Sequence, residues 1–214
     1  MKKISLLIFD LDGTLIDSKA DITNCVLWTL RDMGLPSIPD EVIHSYVGNG
    51  VRPLIQKSVE AAHGSSFDKA IRIFEGYYRS HLIDKTRPFP GVQETLEHFR
   101  SKKMAVCTNK PQYFTEPILS VLKLDHYFMT VIGSGNTFPK KPDPTMIFHL
   151  IKEGGCRPEE VVLIGDSRVD IETGKNAGIL TCGVTYGFRP AEEVHEANAD
   201  FVIDSFLKLK SLFE

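Results

Sequence analysis

Four short runs constrain this 214-residue chain more than any other feature: Ile4 to Phe9, Met104 to Cys107, Phe128 to Ile132 and Val161 to Ile164 are almost wholly apolar. A fifth, weaker run covers Thr181 to Val184. A strand with one face in water alternates apolar and polar residues, so short unbroken runs point to strands covered on both faces, as in a parallel sheet. Helical patterns fill most of the gaps. Phe114, Ile118, Leu119 and Leu122 recur at helical spacing between the second and third runs. Between the third and fourth, Pro144 behind Asp143 reads as a first-turn proline after an N-cap. Strand and helix in alternation specify an α/β fold: an open, Rossmann-like parallel sheet with right-handed crossovers.

The interval from Asp17 to Asp84 breaks the alternation. It has no clear strand, and its opening segment places Ile22, Cys25, Val26, Thr29, Leu30 and Met33 on one helical face. Further helices are expected from Val51 to Ala61 and from Phe67 to Leu82. A stretch of this length is too long for a loop. The chain is therefore expected to divide into an α/β core of residues 1–16 and 85–214 and an inserted helical domain of residues 17–84. Arg87-Pro88-Phe89-Pro90-Gly91 reads as a stiff linker where the chain returns to the core.

Charge and composition narrow the partners. Lys plus Arg total 25 against 28 Asp plus Glu, a net charge of -3, which gives no broad positive field for nucleic acid or an anionic membrane. The N-terminal apolar run stops at Asp10 and Asp12, too short for a secretory signal, and no stretch approaches the roughly 18 apolar residues of a membrane span. Cys25, Cys107, Cys156 and Cys182 are far apart and read as reduced, buried thiols. The expectation is a cytoplasmic protein; no feature specifies an oligomeric state.

In an open parallel sheet, ligands bind beyond the carboxyl ends of the strands. The residues closing the apolar runs are Asp10 and Asp12, Thr108 and Asn109, Lys140 and Lys141, and Asp166 and Asp170. Converging carboxylates need a cation, hard oxygen ligands suit Mg2+, and a hydroxyl and a lysine suit phosphate oxygens. Plainer roles exist for several. Asp166 or Thr108 can cap a helix, Ser167 and Asp170 fit a capping pattern, and Lys141 before Pro142 can be a solvated turn lysine. Asp10-Leu11-Asp12-Gly13-Thr14 resists such a reading, because two acids ending a buried strand are destabilising without a partner.

Phe9-Asp10-Leu11-Asp12-Gly13-Thr14-Leu15 resembles the first signature of the haloacid dehalogenase superfamily of phosphohydrolases. Thr108, Lys141 and the segment from Gly165 to Asp170 resemble the second, third and fourth signatures, in order. The resemblance implies Asp10 as the nucleophile and Asp12 as the acid and base. It also implies Mg2+ held by Asp10, the backbone carbonyl of Asp12 and Asp166, with Asp170 in support, and a phosphoryl group held by Thr108 and Lys141. The helical block then corresponds to the family's mobile cap. Val47-Gly48-Asn49-Gly50-Val51, Thr108-Asn109-Lys110-Pro111 and Gly183-Val184-Thr185-Tyr186-Gly187 resemble phosphoglycolate phosphatases within the superfamily. On that resemblance, Gly48, Asn49, Gly50 and Asn109 join the substrate-binding candidates, and Arg52 is the candidate partner for a substrate carboxylate. The implied reaction is Mg2+-dependent hydrolysis of a small phosphorylated metabolite, 2-phosphoglycolate first among them. Other sugar-phosphate, nucleotide or pyrophosphate hydrolysis, a phosphoglucomutase-type transfer, and a non-catalytic phosphate sensor are the alternatives. Where relatives run through alanines after the fourth signature, this chain has Ile171-Glu172-Thr173-Gly174-Lys175, and Gly174 is expected to weaken that helix by up to about 1 kcal/mol.

Overall fold

The computed structural model describes residues 1–135 and 137–214. In chain order, strand β1 (Leu6–Phe9) is followed by the two-residue strand β2 (Ile16–Asp17) and four helices: α1 (Lys19–Asp32), α2 (Asp40–Tyr46), α3 (Val51–Ala61) and α4 (Phe67–Ser80). Next come β3 (Arg87–Pro88), α5 (Val92–His98), β4 (Lys103–Pro111), α6 (Gln112–Val121), β5 (Thr130–Ser134), α7 (Thr145–Gly154) and β6 (Val161–Gly165). The chain closes with α8 (Arg168–Ala177), β7 (Leu180–Val184), α9 (Ala191–Glu196), β8 (Phe201–Ile203) and α10 (Leu209–Leu212).

The main sheet has the order β5-β4-β1-β6-β7-β8, and every neighbouring pair is parallel. The chain builds outward from β1 on one side through β4 and β5, then returns to build β6, β7 and β8 on the other. The order therefore reverses at β1, and the carboxyl ends of β4, β1 and β6 flank the crevice where open sheets bind ligands. Leu7, Phe9, Met104, Val106, Val162 and Ile164 pack on one face of the sheet. Leu6, Ile8, Ala105, Cys107, Val161 and Leu163 pack on the other. Both faces are covered, which is why these strands read as unbroken apolar runs.

All five expected strands form, with β5 two residues later than its run. β8, at the sheet edge, is three residues long, and its middle residue Val202 is exposed. Pro144 is the N-cap of α7 rather than its first residue, and Asp143 acts one step earlier by accepting the Thr145 N–H at 2.9 Å. Three cysteines are buried as expected, but Cys156 lies at the turn after α7 and is half-buried.

Helices α1 to α4 share a separate apolar cluster built from Ile22, Val26, Leu54, Val59, Phe74 and Tyr78, joined by Phe114 of α6 and Phe188 of the segment after β7. The two crossings between this helical insert and the sheet lie side by side, because β2 and β3 pair antiparallel. Asp21, buried in the first turn of α1, ties the same place together. Its carboxylate accepts from the Lys85 and Thr86 backbone N–H groups and from the Thr86 hydroxyl, at 2.7–3.0 Å. On the far side, Arg189 donates to the carbonyls of Ser45 and Val47, both at 2.5 Å.

Candidate active site

Asp10 follows β1 directly, Thr108 lies near the end of β4, and Asp166 follows β6, so the sheet order sets these three side by side. Oxygens of Asp10, Asp166 and Asp170 all lie within 4.8 Å of one another, and all three residues are buried. Asp170 arrives from the first turn of α8, where it also completes a capping box with Ser167. Both readings of that residue therefore hold. Asp166 is not a helix cap; its Oδ2 accepts the Phe188 N–H at 2.6 Å. Gly13 makes room for it. That residue has φ +85°, and a Cβ there would sit 2.2 Å from Asp166 Oδ2, so only glycine serves on both counts.

Lys141 is the cation among these acids. Its Nζ donates to Asp170 Oδ1 at 2.6 Å and to the Cys107 carbonyl at 2.9 Å. It also lies 2.9 Å from Asp10 Oδ1, an ion pair without hydrogen-bond geometry, so that buried oxygen has no hydrogen-bond donor. Burial works against the Lys141 ammonium, but Asp10 and Asp170 outweigh it and hold its pKa above the ordinary lysine value. One ammonium does not balance three buried carboxylates. Burial pushes Asp10 up to about 6, with Lys141 pulling down and Asp170 pushing up. Burial, reinforced by Asp170 and Asp10, pushes Asp166 up to about 8. Carboxylates this close, with an unsatisfied oxygen facing inward, form a donor set that a hard divalent cation fits.

Asp12 points elsewhere. Its side chain is not part of the three-carboxylate group; it accepts from Ser18 Oγ at 2.5 Å and from Lys110 Nζ at 2.9 and 3.1 Å. Asp10 and Asp12 line a cavity between the sheet and the helical insert. Its walls are Thr108, Lys110 and Phe114 from the core, and Ile22, Val47, Gly48, Gly50, Val51, Leu54, Phe74 and Tyr78 from the insert. Apart from the Tyr78 hydroxyl, the insert presents an apolar lining.

The remaining site candidates separate. Thr108 is buried, and its hydroxyl accepts the Lys110 N–H at 3.2 Å. It does not cap α6, whose N-cap is Pro111. Asn109 uses its amide as a fastener: Nδ2 donates to the carbonyls of Gly48 and Lys141, and Oδ1 accepts the Lys141 N–H at 2.9 Å. Gly48 and Gly50 line the cavity, whereas Asn49 faces a separate surface cleft with Ser45, Lys57 and Arg168. Arg52 does not line the cavity. Its exposed guanidinium pairs with Asp68 at 3.0 Å on the outside of the insert, because residue 52 falls on the solvent side of α3 while Leu54 and Ile55 face inward. In the sequence Lys110 figures only within the segment Thr108 to Pro111, with no role of its own, and nothing singles out Ser18 or Tyr78; the three meet Asp12 or one another across 98, 6 and 32 positions of chain. The one available signal is that Lys110 lies two residues beyond Thr108 at the end of a buried strand, where an inward lysine requires a carboxylate.

Known proteins resemble this chain over nearly its whole length. Residues 7–184 match the haloacid dehalogenase-like hydrolase family. The phosphoglycolate phosphatase of Haemophilus influenzae is 33% identical over 220 residues, covering 98% of both chains. That of Vibrio parahaemolyticus is 36% identical over 216 residues, covering 96% of this chain and 94% of its own. A crystal structure from Haemophilus somnus, described as a predicted phosphoglycolate phosphatase, superposes with a TM-score of 0.94 at 31% identity over 99% of each chain. A six-stranded parallel sheet, a helical insert above its switch point and near full-length kinship together place this chain in the haloacid dehalogenase-like hydrolases.

Proposed function

We propose that the chain is a Mg2+-dependent phosphatase of small phosphate monoesters, 2-phosphoglycolate foremost, acting through a phosphoaspartate on Asp10. One observation carries the reading: Asp10 alone belongs both to the three-carboxylate group and to the wall of the cavity. A nucleophile there meets the metal on one side and the substrate on the other. Asp10, Asp166 and the Asp12 carbonyl would hold Mg2+, with Asp170 behind them. Bound there, the ion offsets charge on the phosphoryl oxygens and the nucleophile.

The chain's own groups supply the rest. An Asp10 oxygen attacks phosphorus, the ester P–O bond breaks, and Asp12 gives its proton to the departing alkoxide. Water then attacks phosphorus while Asp12 takes one of its protons, and the bond between phosphorus and the Asp10 oxygen breaks, releasing inorganic phosphate and restoring the Asp10 carboxylate. Thr108 and Lys141 hold the transferring group, and Lys141 keeps Asp10 ionised. Residues 17–84 act as a cap whose Val47, Val51, Leu54 and Phe74 exclude water from the first step. The cavity's apolar walls offer few partners for sugar hydroxyls. That lining, with the names of the full-length relatives, favours a short leaving group over a sugar or nucleotide.

The test is phosphate release with Mg2+ from a panel of 2-phosphoglycolate, sugar phosphates, nucleotides and pyrophosphate. The expected result is a preference for 2-phosphoglycolate that disappears in excess EDTA and returns with Mg2+. Asp10→Asn is expected to abolish turnover. Full activity after verified metal removal, or more than about a hundredth of wild-type rate in Asp10→Asn, contradicts the mechanism.

A further inference from the structure

Lys110 is the one lysine lining the cavity, and it is almost wholly buried. A lysine there suggests a partner for a substrate carboxylate, but its geometry points elsewhere. An ammonium has three N–H bonds. Lys110 Nζ lies 3.1 and 2.9 Å from the two Asp12 oxygens and 2.6 Å from the Tyr78 hydroxyl, so all three directions are taken within the protein. Ser18 Oγ supplies a further donor to Asp12 Oδ1. The Asp12 carboxylate is thus held from two sides, while Asp12 lines the cavity with Asp10.

Tyr78 fits the same arrangement. Burial, with the Asp12 charge adding to it, holds its hydroxyl well above the ordinary tyrosine pKa, so it stays neutral and accepts from the ammonium. Its ring packs against Phe74 and Phe114 with centroids 5.3 and 5.0 Å away, which fixes the hydroxyl at the cavity edge. Tyr78 belongs to α4 of the insert and Ser18 is the N-cap of its first helix, whereas Lys110 and Asp12 belong to the core.

Resting on the reading of Asp12 as acid and base, we infer that Lys110 is the positioning residue that aims the Asp12 carboxylate at the leaving oxygen. Tyr78, from α4 of the insert, completes that setting by accepting from Lys110 Nζ. A misaimed Asp12 fails wherever a proton must move and matters less where none is needed.

Leaving groups separate the possibilities. Wild type, Lys110→Met, Lys110→Arg, Tyr78→Phe and the reference variant Asp12→Asn are each loaded with Mg2+. They are assayed on 2-phosphoglycolate, or the best alkyl phosphate of the panel, and on 4-nitrophenyl phosphate, whose leaving group departs without a proton. Lys110→Met is expected to lower kcat on the alkyl ester on the order of a hundredfold, with little change in KM. On the nitrophenyl ester it is expected to give a burst of nitrophenolate followed by a slow steady state. Lys110→Arg recovers part of kcat, and Tyr78→Phe shows the same pattern more weakly. Tyr78→Phe keeps the ring in place and carries the test if Lys110→Met does not fold. A rise in KM confined to 2-phosphoglycolate, with kcat intact, would make Lys110 a reader of the substrate carboxylate and overturn the positioning role. Equal losses on both esters without a burst would overturn it as well. If Asp12→Asn itself fails to discriminate between the esters, the acid–base reading falls and the role of Lys110 with it. Discrimination in Asp12→Asn, but in neither Lys110→Met nor Tyr78→Phe, removes the positioning role alone.

Discussion

Lys141 pairs with two of the three buried carboxylates: its Nζ lies 2.9 Å from Asp10 and 2.6 Å from Asp170. Removing one partner of a buried ion pair typically destabilises by about 3–5 kcal/mol, because the other charge is left unsatisfied. Lys141→Met is accordingly expected to lower the melting temperature in metal-free buffer. Mg2+ is expected to raise the melting temperature of the variant more than that of wild type, since the ion replaces the missing positive charge. Equal Mg2+ shifts in the two proteins would contradict the picture of one lysine and one cation sharing the neutralisation of these acids. Arg52 gives the opposite expectation. Its guanidinium is exposed and paired with Asp68, and exposed pairs contribute about 0–1 kcal/mol. Arg52→Ala should therefore change kcat/KM for 2-phosphoglycolate and for an uncharged alkyl phosphate alike, and by little. A loss selective for 2-phosphoglycolate would return Arg52 to the role its sequence position suggests. The contrast shows what residue-level reading reaches. Asp10, Thr108 and Asp166 were legible because β1, β4 and β6 end where they do, and Lys141 and Asp170 because their motifs place them. Lys110, Tyr78 and Asp21 were not, because their partners are set by tertiary packing across long stretches of chain.

At the level of elements, Gly174 turns from an apparent weakness into a packing requirement. A Cβ at Gly174 of α8 would lie 2.4 Å from the Thr181 methyl carbon on β7. Alanine there gains up to about 1 kcal/mol of helix propensity but forces the helix off the strand, a strain of about 1–3 kcal/mol. Gly174→Ala alone is expected to destabilise. Adding Thr181→Ser removes the obstructing methyl while keeping the hydroxyl that pairs with Asp200 at 2.8 Å, and should recover most of the loss. Urea unfolding of the two single variants and the double variant checks this; additive effects would refute the clash. Element existence followed from pattern in the sheet interior, where burial is complete, and in α1, α3 and α4, whose buried residues recur at helical spacing. It did not reach β8, α2, α5, α9 and α10, each of seven residues or fewer and too short to show a clear period. The two-residue pair β2–β3 was illegible for a further reason. It has no periodicity to read, and it forms where Asp21 accepts from the Lys85 and Thr86 backbone, a contact set by tertiary packing.

At the scale of the whole molecule, the site opposes the fold, and pH reveals by how much. A carboxyl group whose pKa is raised on folding binds its proton more tightly in the native state, so stability falls as pH rises from the unfolded value toward the folded one. For Asp10 the window runs from near 3.8 to about 6, and for Asp166 from near 3.8 to about 8. Other groups act in the lower part of that range. His44, held below its ordinary value by burial, gains stability for the fold as pH rises toward 6.5, opposing the carboxylates there. Between pH 6.5 and 8 the remaining slope belongs chiefly to Asp166. The melting temperature of the metal-free protein is therefore expected to fall across that interval, and Asp166→Asn should flatten the fall, since an amide oxygen still accepts the Phe188 N–H. Mg2+ competes with the proton for the same oxygens, so its stabilisation is expected to be larger at pH 8 than at pH 6.5. A metal-free melting temperature that holds steady or rises over this interval, or an Asp166→Asn variant with the wild-type slope, would mean that the buried acids do not carry the charge imbalance assigned to them.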